Sequence, residues 1–175
     1  YSVNGTSKVK VVQYDAISYG AIRKANELNF GASVIPSYDF SKAKTIVGVG
    51  ADFLSTWLLG NEYAVQYGVN RQPGKGMSKH YQFESIMSIT GSNADGRAQI
   101  KPSESANVLA YILKSIGGST LVSSALSGEA KKVADAAIAA LKSSKKESLV
   151  VGGSNNEAEQ LLTNAINNQL NAYGT

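Results

Sequence analysis

The segment KTIVGVG, Lys44 to Gly50, constrains this chain more than any other. It is an apolar run rich in β-branched residues and ended by glycine. A strand with one solvated face alternates apolar and polar residues. A run as uniformly apolar as this one is buried on both faces, inside a parallel sheet covered by helices. The rest of the chain supplies such helices. Downstream, Phe83–Thr90 reads as a strand, followed by the turn Gly91-Ser92-Asn93, and Arg97–Ile100 reads as a short strand ending before Pro102. Ser103–Ile116 is an amphipathic helix with Ser103 at its cap, closed by Gly117-Gly118. Gly128–Leu141 is an Ala-rich helix with Val133, Ala137 and Leu141 on one face. Ser148–Val151 is a strand closed by Gly152-Gly153, and Asn155–Leu170 is a helix with Leu161, Leu162, Ala165, Ile166 and Gln169 along one side.

Upstream, Lys8–Tyr14 (KVKVVQY) predicts a buried strand, and Ala16–Leu28 a helix capped by Asp15 and stopped near Gly31. Ser33–Pro36 reads as a short strand and Tyr38–Lys44 as a connector. After Gly50, Ala51–Leu59 is a helix or irregular turn, Glu62–Tyr67 is helical, and NRQPGKGMSK (70–79) is a loop. Strands alternating with helices make βαβ units. The expected fold class is therefore α/β: a Rossmann-like, mostly parallel sheet with helices on both faces. A single domain over 1–175 is expected, with 117–146 as a candidate helical insert.

Residue types narrow the chemistry. The chain has no cysteine, which excludes disulfides, thiolate zinc sites, cysteine-held iron–sulfur clusters and a cysteine nucleophile from this segment. His80 is the sole histidine, so a zinc site would need three carboxylates around it. The formal charge of +4 comes from scattered residues. The densest basic runs, Lys131-Lys132 and Lys142–Lys146, have no interleaved aromatics, and no nucleic-acid partner is expected. No apolar run reaches the roughly 18 residues of a membrane span. Without an initiator Met or a signal peptide, and stopping just after Tyr173-Gly174, the chain reads as a piece of a longer protein.

The Gly48-Val49-Gly50-Ala51-Asp52 stretch invites a phosphate-loop reading. However, Phe53 stands where a GxGxxG fingerprint has its third glycine, and no GxxxxGK[ST] occurs. A structural turn fits better. Asp52, Glu62, Glu84 and Asp95 share no helix face. Salt bridges of Glu84 and Asp95 with Arg71 and Arg97 are expected, and His80 reads as a surface or hydrogen-bonded residue. Arg71, His80, Glu84 and Asp95 are thus assigned to local structure or interdomain contacts. No GxSxG is present, and Trp57 is expected to fill core or interface space. No catalytic residue and no metal ligand is expected.

Three segments carry a family resemblance: GVGADFLSTWL (48–58), GKGMSKHYQFESIMSITGSNADGRAQIKPSES (74–105) and LVVGGSNNEAEQLLTNAINNQLNAYG (149–174). Together they resemble the molybdopterin-oxidoreductase-like iron–sulfur subunit of bacterial alternative complex III, a membrane-bound quinol oxidoreductase. Within the wider molybdopterin superfamily, the strand ending at Gly48 and Gly50 resembles one reading IG-x-NP. The run from Asp95 to Pro102 resembles an element ending PGTD that helps hold the cofactor's guanine nucleotide. This chain departs from both, with Ala51-Asp52 in place of NP and Ser103-Glu104-Ser105 in place of GTD.

The resemblance therefore implies a degenerate site near Gly48, Gly50, Asp52, Asp95, Ser103 and Glu104, and no cofactor in this segment. It also implies iron–sulfur clusters elsewhere in the full subunit, Tat export, and a peripheral place on the periplasmic side of the cytoplasmic membrane. The expected partners are other lobes of the same subunit and other subunits of the respiratory complex, with no span of its own. A working molybdopterin oxidoreductase binding a guanine dinucleotide, and an independent nucleotide-binding domain, are the alternatives.

Overall fold

The computed structural model describes Val12, Tyr14, residues 16–74 and residues 76–174. The strand expected at Lys8–Tyr14 and the cap at Asp15 lie outside the described residues, except for Val12 and Tyr14. Those two are exposed and outside any strand.

Helix α1 spans Gly20–Phe30, and Gly31 ends it by donating its N–H to Glu27 O at 2.9 Å. The stretch expected as a strand at Ser33–Pro36 is an extended connector without sheet partners. Strand β1 (Thr45–Val49) is buried at every position, as its uniform apolar run requires. Irregular turns fill 51–59, followed by α2 (Gly60–Val69), β2 (Lys79–Glu84), α3 (Ile89–Ser92) and β3 (Gly96–Gln99). A 3₁₀ turn at Pro102–Glu104 leads into α4 (Ser105–Ser115), then come α5 (Gly128–Ser144), β4 (Ser148–Gly152) and α6 (Glu157–Leu170).

The four strands form one parallel sheet in the order β3-β2-β1-β4. The chain builds outward from β1 to β3, then crosses back to add β4 on the other side of β1. This reversal makes a switch point between β1 and β4, where open α/β sheets offer a crevice beyond the strand ends.

Helices cover both faces, as the apolar run of β1 predicts. On one face Val47, Val49, Phe83, Ala98 and Val150 pack against Leu109 and Ile112 of α4, Ala137 and Leu141 of α5 and Ile166 of α6. On the other, Ile46 and Val151 meet Ile22 of α1, Tyr63 and Tyr67 of α2, and Phe40, Phe53 and Trp57. Phe40 and Phe53 stack with ring centroids 4.4 Å apart. Each fully buried Leu, Ile or Phe contributes roughly 1.5–3 kcal/mol through area removed from water.

Three sequence expectations change here. Strand β2 occupies Lys79–Glu84, not Phe83–Thr90. Its inward polar residues His80, Gln82 and Glu84 disguise it, whereas the more apolar SIMSI that follows is a loop entering α3, with Ile86, Met87 and Ile89 exposed. The candidate insert at 117–146 contains α5, which packs on β1, β2 and β3 through Val133, Ala137 and Leu141 and forms part of the main core. Helix α6 buries Gln160, Leu162, Thr163, Ile166, Asn167 and Leu170; its face is rotated from the expected one, and Gln169 is exposed.

Candidate functional site

A crevice of about 240 Å³ opens at the C-terminal ends of the strands, lined by Val49, Gly50, Phe83, Glu84, Ser85, Ile100, Pro102, Ser105, Gly153, Ser154 and Glu159. Of the residues singled out as a degenerate cofactor site, Gly50 alone lines it. Gly48 lies one turn of the pleat inside, and a Cβ there would fall 2.0 Å from Gln82 Oε1. The glycine clears a path for the Gln82 side chain, whose amide crosses to Ala51 O at 3.0 Å. Gly48 is thus required by packing.

Two backbone donors at the crevice are already engaged. Gly50 N–H donates to Phe83 O at 2.7 Å, and Gly153 N–H donates to Val49 O at 2.9 Å. The two strand ends are pressed together so closely that a Cβ on Gly153 would lie 2.0 Å from Gly50 O. A pyrophosphate cradle works through unengaged N–H groups at a glycine turn and a helix N-terminus. After β1 no helix begins until Gly60. After β4, the Asn156 side chain already accepts from Ala158 N and Glu159 N at the start of α6.

Asp52, which stands in the degenerate site implied by the resemblance, acts as a bracket. Its Oδ1 accepts from Thr90 N at 3.1 Å and Thr90 Oγ1 at 2.7 Å, tying the loop after β1 to α3. Glu104 turns back onto its own backbone and accepts from Lys101 N at 2.8 Å, as a capping glutamate does. Ser103 is exposed in the 3₁₀ turn. Asp95 precedes β3 and so sits at the opposite end of the sheet from the crevice.

The carboxylates that do line the crevice are Glu84 and Glu159. Glu84 is buried, and burial opposes its charge. Ser88 Oγ and Arg97 Nε, each donating at 2.6 Å, outweigh that and hold the carboxyl below its ordinary range. Glu159 is half-buried, and burial raises its pKa against a smaller opposing contribution from Ser154. Glu159 was missed in the sequence. The signal was present, since Asn156 followed three residues later by Glu159 is a helix-start pattern that sets an acid beside the Gly152-Gly153 strand end.

A second polar cluster lies at the N-terminal end of β2. Arg71 pairs with Asp95 through both guanidinium nitrogens, at 2.7 and 3.1 Å, and Asp95 Oδ2 also accepts from His80 N at 2.8 Å. Burial works against the Asp95 charge, but the Arg71 and His80 hydrogen bonds prevail and lower its pKa. These are the ion pairs expected between the two arginines and two acids: Arg71 with Asp95 and Arg97 with Glu84.

His80 is fully buried, which corrects the surface reading and keeps the hydrogen-bonded one. Tyr67 Oη lies 3.1 Å from both His80 Nδ1 and Asn93 O, and His80 Nε2 lies 3.4 Å from Gln82 Oε1. A neutral ring protonated on Nε2 fits this set: Tyr67 donates to Nδ1, Nε2 donates to Gln82, and Arg71 Nη2 serves Asn93 O at 3.3 Å. Burial brings the His80 pKa down to about 4. Phe53 packs against the ring, 5.2 Å away between centroids. Trp57 is buried as expected, and its Nε1 has no partner among the described residues.

Among the described residues, no group of three or more His, Cys, Asp or Glu side chains could hold a metal ion. No helix of the described residues is long and apolar enough to cross a membrane. Neither a protein-family model nor a curated protein matches the chain.

Proposed function

We propose that this chain is a scaffolding α/β lobe in the large peripheral subunit of a quinol-oxidising respiratory complex, of the alternative complex III type that its sequence resembles. In this reading it carries no pterin nucleotide and transfers no electrons. It acts by packing against the other lobes of its subunit and against neighbouring subunits, on the periplasmic side of the membrane. The observation that carries the reading is the switch-point crevice. The N–H groups of Gly50 and Gly153 are bonded within the sheet, and the acids at the rim are Glu84 and Glu159. A dianionic pyrophosphate there would meet carboxylates and would not find the N–H groups of Gly50 and Gly153. Arg97 offsets the charge of Glu84, so the repulsion comes chiefly from Glu159 when ionised; at an effective dielectric near 20 one like-charge contact at about 4 Å costs roughly 4 kcal/mol before screening. Micromolar affinity corresponds to only about 8 kcal/mol.

Calorimetry of the chain with GTP, ATP and NAD tests the reading, together with molybdenum and pterin analysis of the purified full-length subunit. No heat of binding at millimolar nucleotide and no stoichiometric molybdenum are expected. Micromolar affinity for a nucleotide, or one molybdenum per subunit, would overturn it.

A further inference from the structure

Lysines far apart in the sequence meet where the strands begin. Lys79 opens β2, Lys142 lies in the last turn of α5, and Lys145 and Lys146 fill the short turn before β4. The end of α5 is fixed against the strand starts, because Ser144 Oγ lies 2.8 Å from Thr45 Oγ1 and 2.7 Å from Ser148 Oγ. All four lysines are exposed, and none forms an ion pair among the described residues. The acids beside the strand starts, Asp39, Glu147 and Asp95, are each paired already, with Lys42, Lys44 and Arg71. The partial negative charge at the C-terminus of α5, about half an elementary charge, is answered by Lys142 alone. A positive excess remains at this end, whereas the crevice at the other end is lined by Glu84 and Glu159.

Apolar groups are exposed among these charges. A cavity of about 400 Å³ opens beside the start of β4, and Phe30, Val34 and Tyr173 line it together with Lys42 and Lys146. Each of those three apolar or aromatic side chains is about half exposed. Phe30 and Tyr173 meet edge to face, with centroids 5.1 Å apart. Lys44 and Lys146 line a neighbouring hollow with Gly76 and Ser78, and Met77 between those two is nearly half exposed.

The combination selects the partner. Arginine grips a shaped anion through its planar fork, and Arg71, the arginine at this end, is committed to Asp95. Lysines are point charges that respond to a diffuse negative field. A nucleic-acid backbone would satisfy them and leave Phe30, Val34 and Met77 in water. An anionic bilayer satisfies both sets, because lysine stems lie along apolar surface while their heads stay among the headgroups, and tyrosine rings favour the same depth.

We infer that the end of the molecule where the strands begin docks on an anionic lipid bilayer, with Lys79, Lys142, Lys145 and Lys146 among the headgroups and Phe30, Val34, Met77 and Tyr173 at the interface. The inference does not rest on the scaffolding role, since the chain by itself carries this face.

Co-sedimentation of the chain with vesicles tests it, using phosphatidylcholine alone and equal parts phosphatidylcholine and phosphatidylglycerol. Binding should require phosphatidylglycerol. It should fall steeply between about 0.1 M salt, where charges are felt to about 10 Å, and about 1 M, where that range is about 3 Å. Lys145→Gln and Lys146→Gln should each weaken it about fivefold. Lys101→Gln makes the same change in net charge beyond the far end of β3 and should leave binding nearly unchanged. Met77→Ser, which alters no charge, should weaken it several-fold through lost apolar contact. No binding to the mixed vesicles, equal binding to the neutral ones, or binding that ignores salt would overturn the assignment. So would equal losses in Lys101→Gln and Lys145→Gln, no loss in Met77→Ser, or release of the chain from the vesicles by a DNA duplex or polyglutamate at equal charge concentration.

Discussion

His80 ties the stability of the molecule to pH with a definite sign. Burial lowers its pKa from 6.5 to about 4. Above pH 6.5 the ring is neutral in both folded and unfolded chains, and the full stability is present. As pH falls from there, the unfolded chain takes up the proton more readily, and stability drains away until about pH 4. The loss across that window is about 3 kcal/mol. Glu84 and Asp95, both lowered, lose their contributions at still lower pH, whereas Glu159, raised, works in the opposite direction. Urea denaturation at pH 7 and pH 4.5 should therefore show a fall in the wild type that is largely absent in His80→Gln. An equal fall in both proteins would show that His80 is not its source.

At the scale of elements, α6 does something that hydropathy does not record. Asn167 accepts from Val150 N at 3.0 Å and donates to Val150 O at 2.8 Å, while Gln160 Nε2 donates to Gly152 O at 2.9 Å. A side-chain amide thus takes the place of a neighbouring strand along β4. Replacing Asn167 by Leu would leave a buried N–H and a buried C=O without partners, at about 2–4 kcal/mol. Chemical denaturation should show a drop of that size, and a loss below about 0.5 kcal/mol would refute the bracing role.

The same residues explain what the sequence hid. Strand β1 and the face of α5 were legible because apolar periodicity reports burial directly. Strand β2 and the face of α6 were not, because His80, Gln82, Gln160 and Asn167 are buried by pairing with each other or with backbone. A polar residue whose partner lies far along the chain looks solvent-facing in any local window. The crevice was half legible for a similar reason. The glycines marked the strand ends, but only coordinates show that their N–H groups are taken and that Asp95 lies at the far end of the sheet.

For the whole molecule, the loop after β2 is the conspicuous surface. Ile86, Met87 and Ile89 project into solvent from a loop braced by Glu84, Ser88 and Arg97. In the scaffolding reading this is where a neighbouring lobe or subunit sits. Ile86→Ser with Met87→Ser should change the stability of the chain by less than about 0.5 kcal/mol, as exposed substitutions do. It should also lower recovery of the assembled complex in a pull-down. Undiminished assembly would place the contact elsewhere.

The amide brace on β4 also bears on how copies of this molecule could aggregate. Growth of a cross-β stack requires each member to offer two unpaired edges, one to receive and one to pass on. Here α6 seals the β4 side, so among the described residues the sheet has one edge to give, at β3. Two molecules joined through β3 would use up that edge on both, and edge-to-edge association would stop at a pair instead of running on into a fibre.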